Sequence, residues 1–185
     1  MEKYYLRHHR SQDDGINIVF DQNFQAVYLV AGRLGKKDDQ LTVQSLSGEV
    51  LVRLRQLSYG LIPRFEISSS TGTVASLNFH LGYFGDLIFV HQLNWMISGN
   101  FLTNHYVTYH LTKRLLSVKP ELRPDGLYNQ LTVQESNNDL PIHIAIAALL
   151  DLWSLKTNNI NLALRRPFVP LNSCYNNFFE ESNRG

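Results

Sequence analysis

Through its first 133 residues the chain alternates apolar and polar side chains with a period of two, the pattern of strands with one face in a core. KYYLRH (3–8), INIVF (16–20), AVYLVAG (26–32), QLTVQS (40–45), EVLVRLRQ (49–56), RFEISSS (64–70) and TVASLNFHL (73–81) follow one another. DLIFVHQ (86–92), NWMISGN (94–100), HYVTYHL (105–111), RLLSV (114–118) and LYNQLTVQ (127–134) continue the series, about twelve strands in all. Each is rich in β-branched or aromatic residues. Turn formers separate them, among them Asp14-Gly15, Ser47-Gly48, Thr71-Gly72 and the RPDG turn at 123–126. Within EVLVRLRQ, Val50, Val52 and Leu54 share one face and Leu51, Arg53 and Arg55 the other. Strands do not alternate with helices, which argues against a parallel doubly wound sheet.

The period changes at DLPIHIAIAALLDLW (139–153), where the pattern predicts a helix to about residue 155, with Pro141 in its first turn. Ile142, Ile144, Ala145, Ile146, Ala147, Ala148, Leu149, Leu150, Leu152, Trp153 and Leu155 cover the whole helix circumference. A helix apolar on all sides is buried on all sides. A bilayer span takes about 20 apolar residues. Here the run is shorter and is cut by His143 and Asp151, so a core helix is expected and a transmembrane span is not. The fold class predicted is mainly β, an antiparallel barrel of about twelve strands around a C-terminal hydrophobic helix. The domain covers residues 1–156, its central helix lies at about 140–155, and a C-terminal extension follows at 157–185.

The stretches YLVAGRLGKKDDQLTVQSLSGEVLVRLRQLSYGLIPRFEI (28–67), NWMISGN (94–100) and DLPIHIAIAALLDLW (139–153) resemble the LURP-one-related family, within the tubby C-terminal-like and phospholipid scramblase superfamily. That family's habit is a strand, a glycine, a short basic loop, a strand of the L-T-V kind and a closing hydrophobic helix. The resemblance covers roughly residues 3–156 and implies a twelve-stranded barrel around a central helix. Tubby-like relatives bind phosphoinositide headgroups through basic barrel residues, and scramblase relatives act at membranes. No headgroup site is carried over residue by residue, and no catalytic signature defines the family.

Charge narrows the partners. Lys and Arg number 17 against 16 acidic residues, for a formal net charge of +1, so a polyelectrolyte surface for nucleic acid is not expected. The lone Cys174 rules out an intramolecular disulfide, and MEKYYLRHHRSQDD lacks the apolar core of a signal peptide. Both point to the cytoplasm, with peripheral membrane contact if lipid is the ligand.

Catalytic and metal patterns are missing. GRLGKK (32–37) has two residues between its glycines where a P-loop has four, and Lys37 where that loop has Ser or Thr. A hairpin turn is the plainer reading. His8, His9, His80, His91, His105, His110 and His143 form no zinc spacing. His143 stands out for lying within the helix, where it would require a buried partner. Ser98 lacks a nucleophile elbow. The chain is therefore read as a non-enzyme with no catalytic residues, no metal and no cofactor.

A basic barrel face remains as the candidate site. Arg53 and Arg55 share one strand face and Arg64 is on the next strand. Lys113 and Arg114 open a later strand, and Lys36 and Lys37 occupy the loop. Such residues can hold an anionic headgroup or phosphate, or can simply be solvated and paired across strands to Glu49 or Glu66. Two functions stay open. One is a binding domain for anionic phospholipid headgroups or a similar anion. The other is a structural module that meets a protein partner, or itself, through RRPFVPLNSCYNNFF (165–179) in the extension.

Overall fold

The computed structural model describes residues 1–8, 15–58, 63–82, 85–134 and 139–159, with backbone alone at 80–82, 85–86 and 155–159. In chain order the strands are β1 (Glu2–Arg7), β2 (Ile16–Phe20), β3 (Ala26–Gly32), β4 (Gln40–Ser45), β5 (Val50–Gln56) and β6 (Arg64–Ser69). They continue as β7 (Gly72–Gly82), β8 (Gly85–His91), β9 (Trp95–Asn100), β10 (His105–His110), β11 (Lys113–Arg123) and β12 (Gly126–Val133). A single 3₁₀ turn (Phe101–Thr103) separates β9 from β10, and helix α1 (Leu140–Asn159) follows β12.

Every strand pairs antiparallel with its sequence neighbour, and β1 pairs with β12 from Glu2↔Val133 to Arg7↔Tyr128, which closes the barrel. About eight strands make a barrel whose interior side chains alone can fill. Twelve leave a lumen that a helix, about 10 Å across, can occupy. Here α1 occupies it: Ile142 to Leu152 are buried without a break, on every side of the helix. Inward residues of the wall, such as Leu6, Leu41, Leu54, Ile67, Leu77, Ile97 and Leu131, meet it in one core. Ala145, Ala147 and Ala148 keep the helix slim enough for the wall to close around it. The helix runs on to Asn159, past the predicted end at about 155. Lys156, Thr157, Asn158 and Asn159 are polar but include no glycine or proline to stop it. Among the described residues no helix is long and apolar enough to cross a membrane.

Because β12 delivers the chain to α1, the helix enters the barrel at the end where β1 begins. It ends near the far end, where β1 leads out at His8 and β10 begins.

Candidate functional site

On β5 the burial pattern alternates: Val52, Leu54 and Gln56 are buried, Arg53 and Arg55 exposed. Its neighbour β6 pairs with it only from Arg53↔Ser68 to Gln56↔Phe65. Beyond Ser68 the two strands part, and bulges on either side promote this. The β4 pairing steps from Val43↔Val52 to Gln44↔Val50, leaving Leu51 as the extra residue of β5. The β7 pairing steps from Ile67↔Ala75 to Ser68↔Thr73, leaving Val74 extra on β7. Bulges bend a strand and raise its local twist. The result is a surface cleft of about 270 Å³ lined by Val50, Leu51, Arg53, Ser68, Ser69 and Ser70.

The predicted basic residues separate into two groups. Arg53, Arg55 and Arg64 lie on one outer face of β5 and β6. Arg55 stands opposite Glu66 and donates to its Oε1 at 3.1 Å, so its charge is largely answered within the sheet. Arg53 stands opposite Ser68 and has no acidic partner among the described residues. Lys36 and Lys37 are exposed in the β3–β4 loop, beside the C-terminal end of β5, where the Asp38 N–H donates to Gln56 O at 2.8 Å. The same loop holds Asp39, which accepts from the Lys36 N–H at 2.9 Å and pairs with Arg33 at 3.5 Å. Lys113 and Arg114 do not join this face. They lie on β11, six strands from β5 in either direction around the barrel.

A second polar cluster escapes a reading of spacing. Asp151, on α1, is fully buried, and its Oδ1 accepts from Asn129 Nδ2 at 2.7 Å and Asn104 Nδ2 at 3.0 Å. His8 Nδ1 is paired to the same oxygen. That bond raises the His8 pKa above its ordinary 6.5, against the opposing effect of burial. Burial and the Asp151 charge together push the Tyr106 hydroxyl well up. Read along the sequence, Asp151 is a mere interruption of an apolar run. Only the closed barrel brings it to His8 just after β1, Asn104 just before β10 and Asn129 on β12.

Outside the wall, where β1 pairs with β12, the β2–β3 turn folds back over both strands. The Arg123 guanidinium sits 4.2 Å from the Tyr5 ring centre and 4.1 Å from that of Phe24. Phe24 also stacks on Phe20 at 5.2 Å and meets Tyr128 edge-on at 5.4 Å.

His143 lies 4.5 Å from Trp95, ring on ring at 16°, and its Nδ1 has no hydrogen-bond partner among the described residues. Aromatic stacking is what it finds in place of the polar partner expected for it. Burial pushes its pKa down to about 4. The other described histidines stay apart. His105 Nδ1 meets Thr103 O and His91 Nε2 meets Asn78, and among the described residues no three His, Cys, Asp or Glu side chains are grouped to hold a metal. His9, Cys174 and residues 160–185 of the extension lie outside the described residues, and His80 is described by its backbone alone.

No family model matches the chain. It is similar to the uncharacterised protein YxjI of Bacillus subtilis (strain 168), with 28% identity over 141 residues, 72% of this chain and 82% of that protein. Among solved structures, the X-ray structure of the Arabidopsis thaliana protein AT5G01750 superposes with a TM-score of 0.53 at 12% identity, covering 84% of this chain and 91% of that one. At that identity the likeness shows a shared fold: a closed barrel with one helix at its centre.

Proposed function

We propose that the chain is a LURP-one-related, non-enzymatic binding domain whose β5–β6 face takes a phosphate group, such as that of an anionic phospholipid headgroup, in the cleft beside Arg53. One observation carries this reading. Arg53 projects, without an acidic partner among the described residues, into a cleft whose opposite side is Ser68, Ser69 and Ser70. A guanidinium offers forked N–H donors to phosphate oxygens, and adjacent hydroxyls add neutral ones. Arg64, Lys36 and Lys37, toward the other end of β5 and β6, would add a longer-range attraction that falls with salt. The non-enzymatic part is supported by an interior taken up by α1. The cytoplasmic location expected from the lone Cys174 fits such a ligand.

Vesicle co-sedimentation with rising anionic lipid content, and with inorganic phosphate as competitor, tests this. Binding should rise with anionic lipid and fall several-fold in Arg53→Ala, with a smaller loss in Arg55→Ala, whose charge is already shared with Glu66. Competition by free phosphate at low concentration would assign the site to a soluble ligand. Indifference to lipid charge and phosphate, or binding unchanged by Arg53→Ala, would overturn the proposal.

A further inference from the structure

Tyr5 and Tyr128 point away from the barrel interior, because their strand neighbours Leu6 and Asn129 point into it. An outward ring on a barrel wall ordinarily meets water, yet these two are 4% and 1% exposed. Both rest against Phe24 of the β2–β3 turn, whose ring lies 5.1 Å from Tyr5 and meets Tyr128 edge-on at 5.4 Å. Phe20 and the Arg123 guanidinium complete the contact, 5.2 Å and 4.1 Å from the centre of the Phe24 ring.

Two features mark Phe24 as a stand-in for something else. Its backbone sits at φ +61, at the end of a turn closed by its own N–H to Asp21 O at 3.0 Å. Glycine or asparagine suits that left-handed position, and a bulky side chain there carries strain. The second feature is Arg123 Nε, which is buried with no hydrogen-bond partner among the described residues. A phenyl ring fills the space beside the guanidinium but gives the Nε–H no acceptor. We propose that Phe24 is a removable cover, occupying a site between Tyr5, Tyr128, Phe20 and Arg123 that takes a planar aromatic ligand with a hydrogen-bond acceptor at its edge.

The charges nearby call for a neutral ligand. Arg123 Nη2 donates to Glu121 Oε1 at 3.0 Å, and Glu121 Oε2 also accepts from Gln130 Nε2 at 2.6 Å. At the rim Arg7 Nη2 donates to Asp125 O at 3.2 Å, and the Tyr128 hydroxyl donates to the Asp125 carboxylate. Each cation thus has a carboxylate beside it. What remains is ring surface, on which a flat π-system stacks, and the single unanswered N–H. The turn can release its ring without coming apart. The Asp21 carboxylate accepts from the N–H groups of Asn23 at 2.8 Å and Gln25 at 2.9 Å, which ties the base of the turn on either side of Phe24. The site lies across β2, β3 and β4 from the Arg53 cleft and is independent of it.

Coumarin, a neutral planar ring system with an edge carbonyl, and indole, which has a donor but no such acceptor, are the probes. Phe24→Asn removes the ring and suits the left-handed position. With the cover gone, coumarin should bind this variant at least about tenfold more tightly than the parent, and indole should bind several-fold more weakly than coumarin. Adding Arg123→Met should remove the preference for coumarin, whereas Arg53→Ala should leave coumarin binding unchanged. The parent chain supplies a readout that needs no variant. At saturating coumarin, nuclear Overhauser contacts between the Phe24 and Tyr128 rings should give way to contacts between coumarin and Tyr128. Ring contacts that persist with coumarin bound, equal affinity in parent and Phe24→Asn, no preference over indole, loss of binding in Arg53→Ala, or no binding to either protein would each overturn the proposal.

Discussion

Burial and a hydrogen-bonded carboxylate move buried His143 and half-buried His8 in opposite directions. His143 has burial alone acting on it, so its folded-state pKa falls to about 4. Between that value and 6.5 the unfolded chain binds a proton that the folded chain refuses, so stability falls as pH drops through this window. The full shift corresponds to roughly 3 kcal/mol, of which about 2 would already be felt at pH 5. His143→Phe keeps a ring against Trp95 and removes the titrating group. Its melting temperature should drop by several degrees less than that of the parent between pH 7 and pH 5. An equal drop in both proteins would show that His143 is not the buried neutral group described. His8 works in the reverse sense. Its stabilisation is complete below 6.5 and fades on the alkaline side, so the two residues together favour the folded state at near-neutral pH.

Among the elements, α1 and the two tightest strand crossings carry the sharpest demands. Ala147 is 1% exposed, and Ala147→Asp would put an unpaired carboxylate into the wall of the lumen. That variant should fail to accumulate as folded, soluble protein, and normal circular dichroism and melting behaviour would contradict the plug. Gly99 lies at φ +146 on β9, where an added Cβ would come within 2.6 Å of Tyr106 Cα and closer still to His105 O. Gly99→Ala should therefore destabilise the barrel by about 2 kcal/mol or more, measured as a shift in denaturation midpoint. Gly32, at φ +113 against the Gln40 carbonyl, explains the glycine that ends the strand in YLVAG. The strands and the helix were legible because each is written in a local period, 2.0 or all-round apolar. The end of the helix was not, because the residues after 155 merely become polar.

For the whole molecule, closure is the event that local patterns cannot show. The strand count and antiparallel order are legible in KYYLRH through LYNQLTVQ. By contrast, three of the partners of Asp151 lie 143, 47 and 22 residues away, and only closure brings them together. The basic residues make the same point in reverse. The sequence reading counted Lys113 and Arg114 with Arg53 among the basic residues of a candidate face, and the twelve-strand circle puts them on the opposite wall. Such a topology ties folding to contacts between the chain's early and late parts, which form slowly. It also makes β1 the closing strand, since without it β2 and β12 each present an unpaired edge to other chains. Removal of residues 1–8 also takes away the His8–Asp151 pair and the Tyr5 ring that packs on Phe24. The truncated chain should lose its sharp thermal transition and scatter light at micromolar concentration, with far-ultraviolet circular dichroism still rich in strand. A truncated chain that stays monomeric with an unchanged melting temperature would mean that β1 decorates the barrel without closing it.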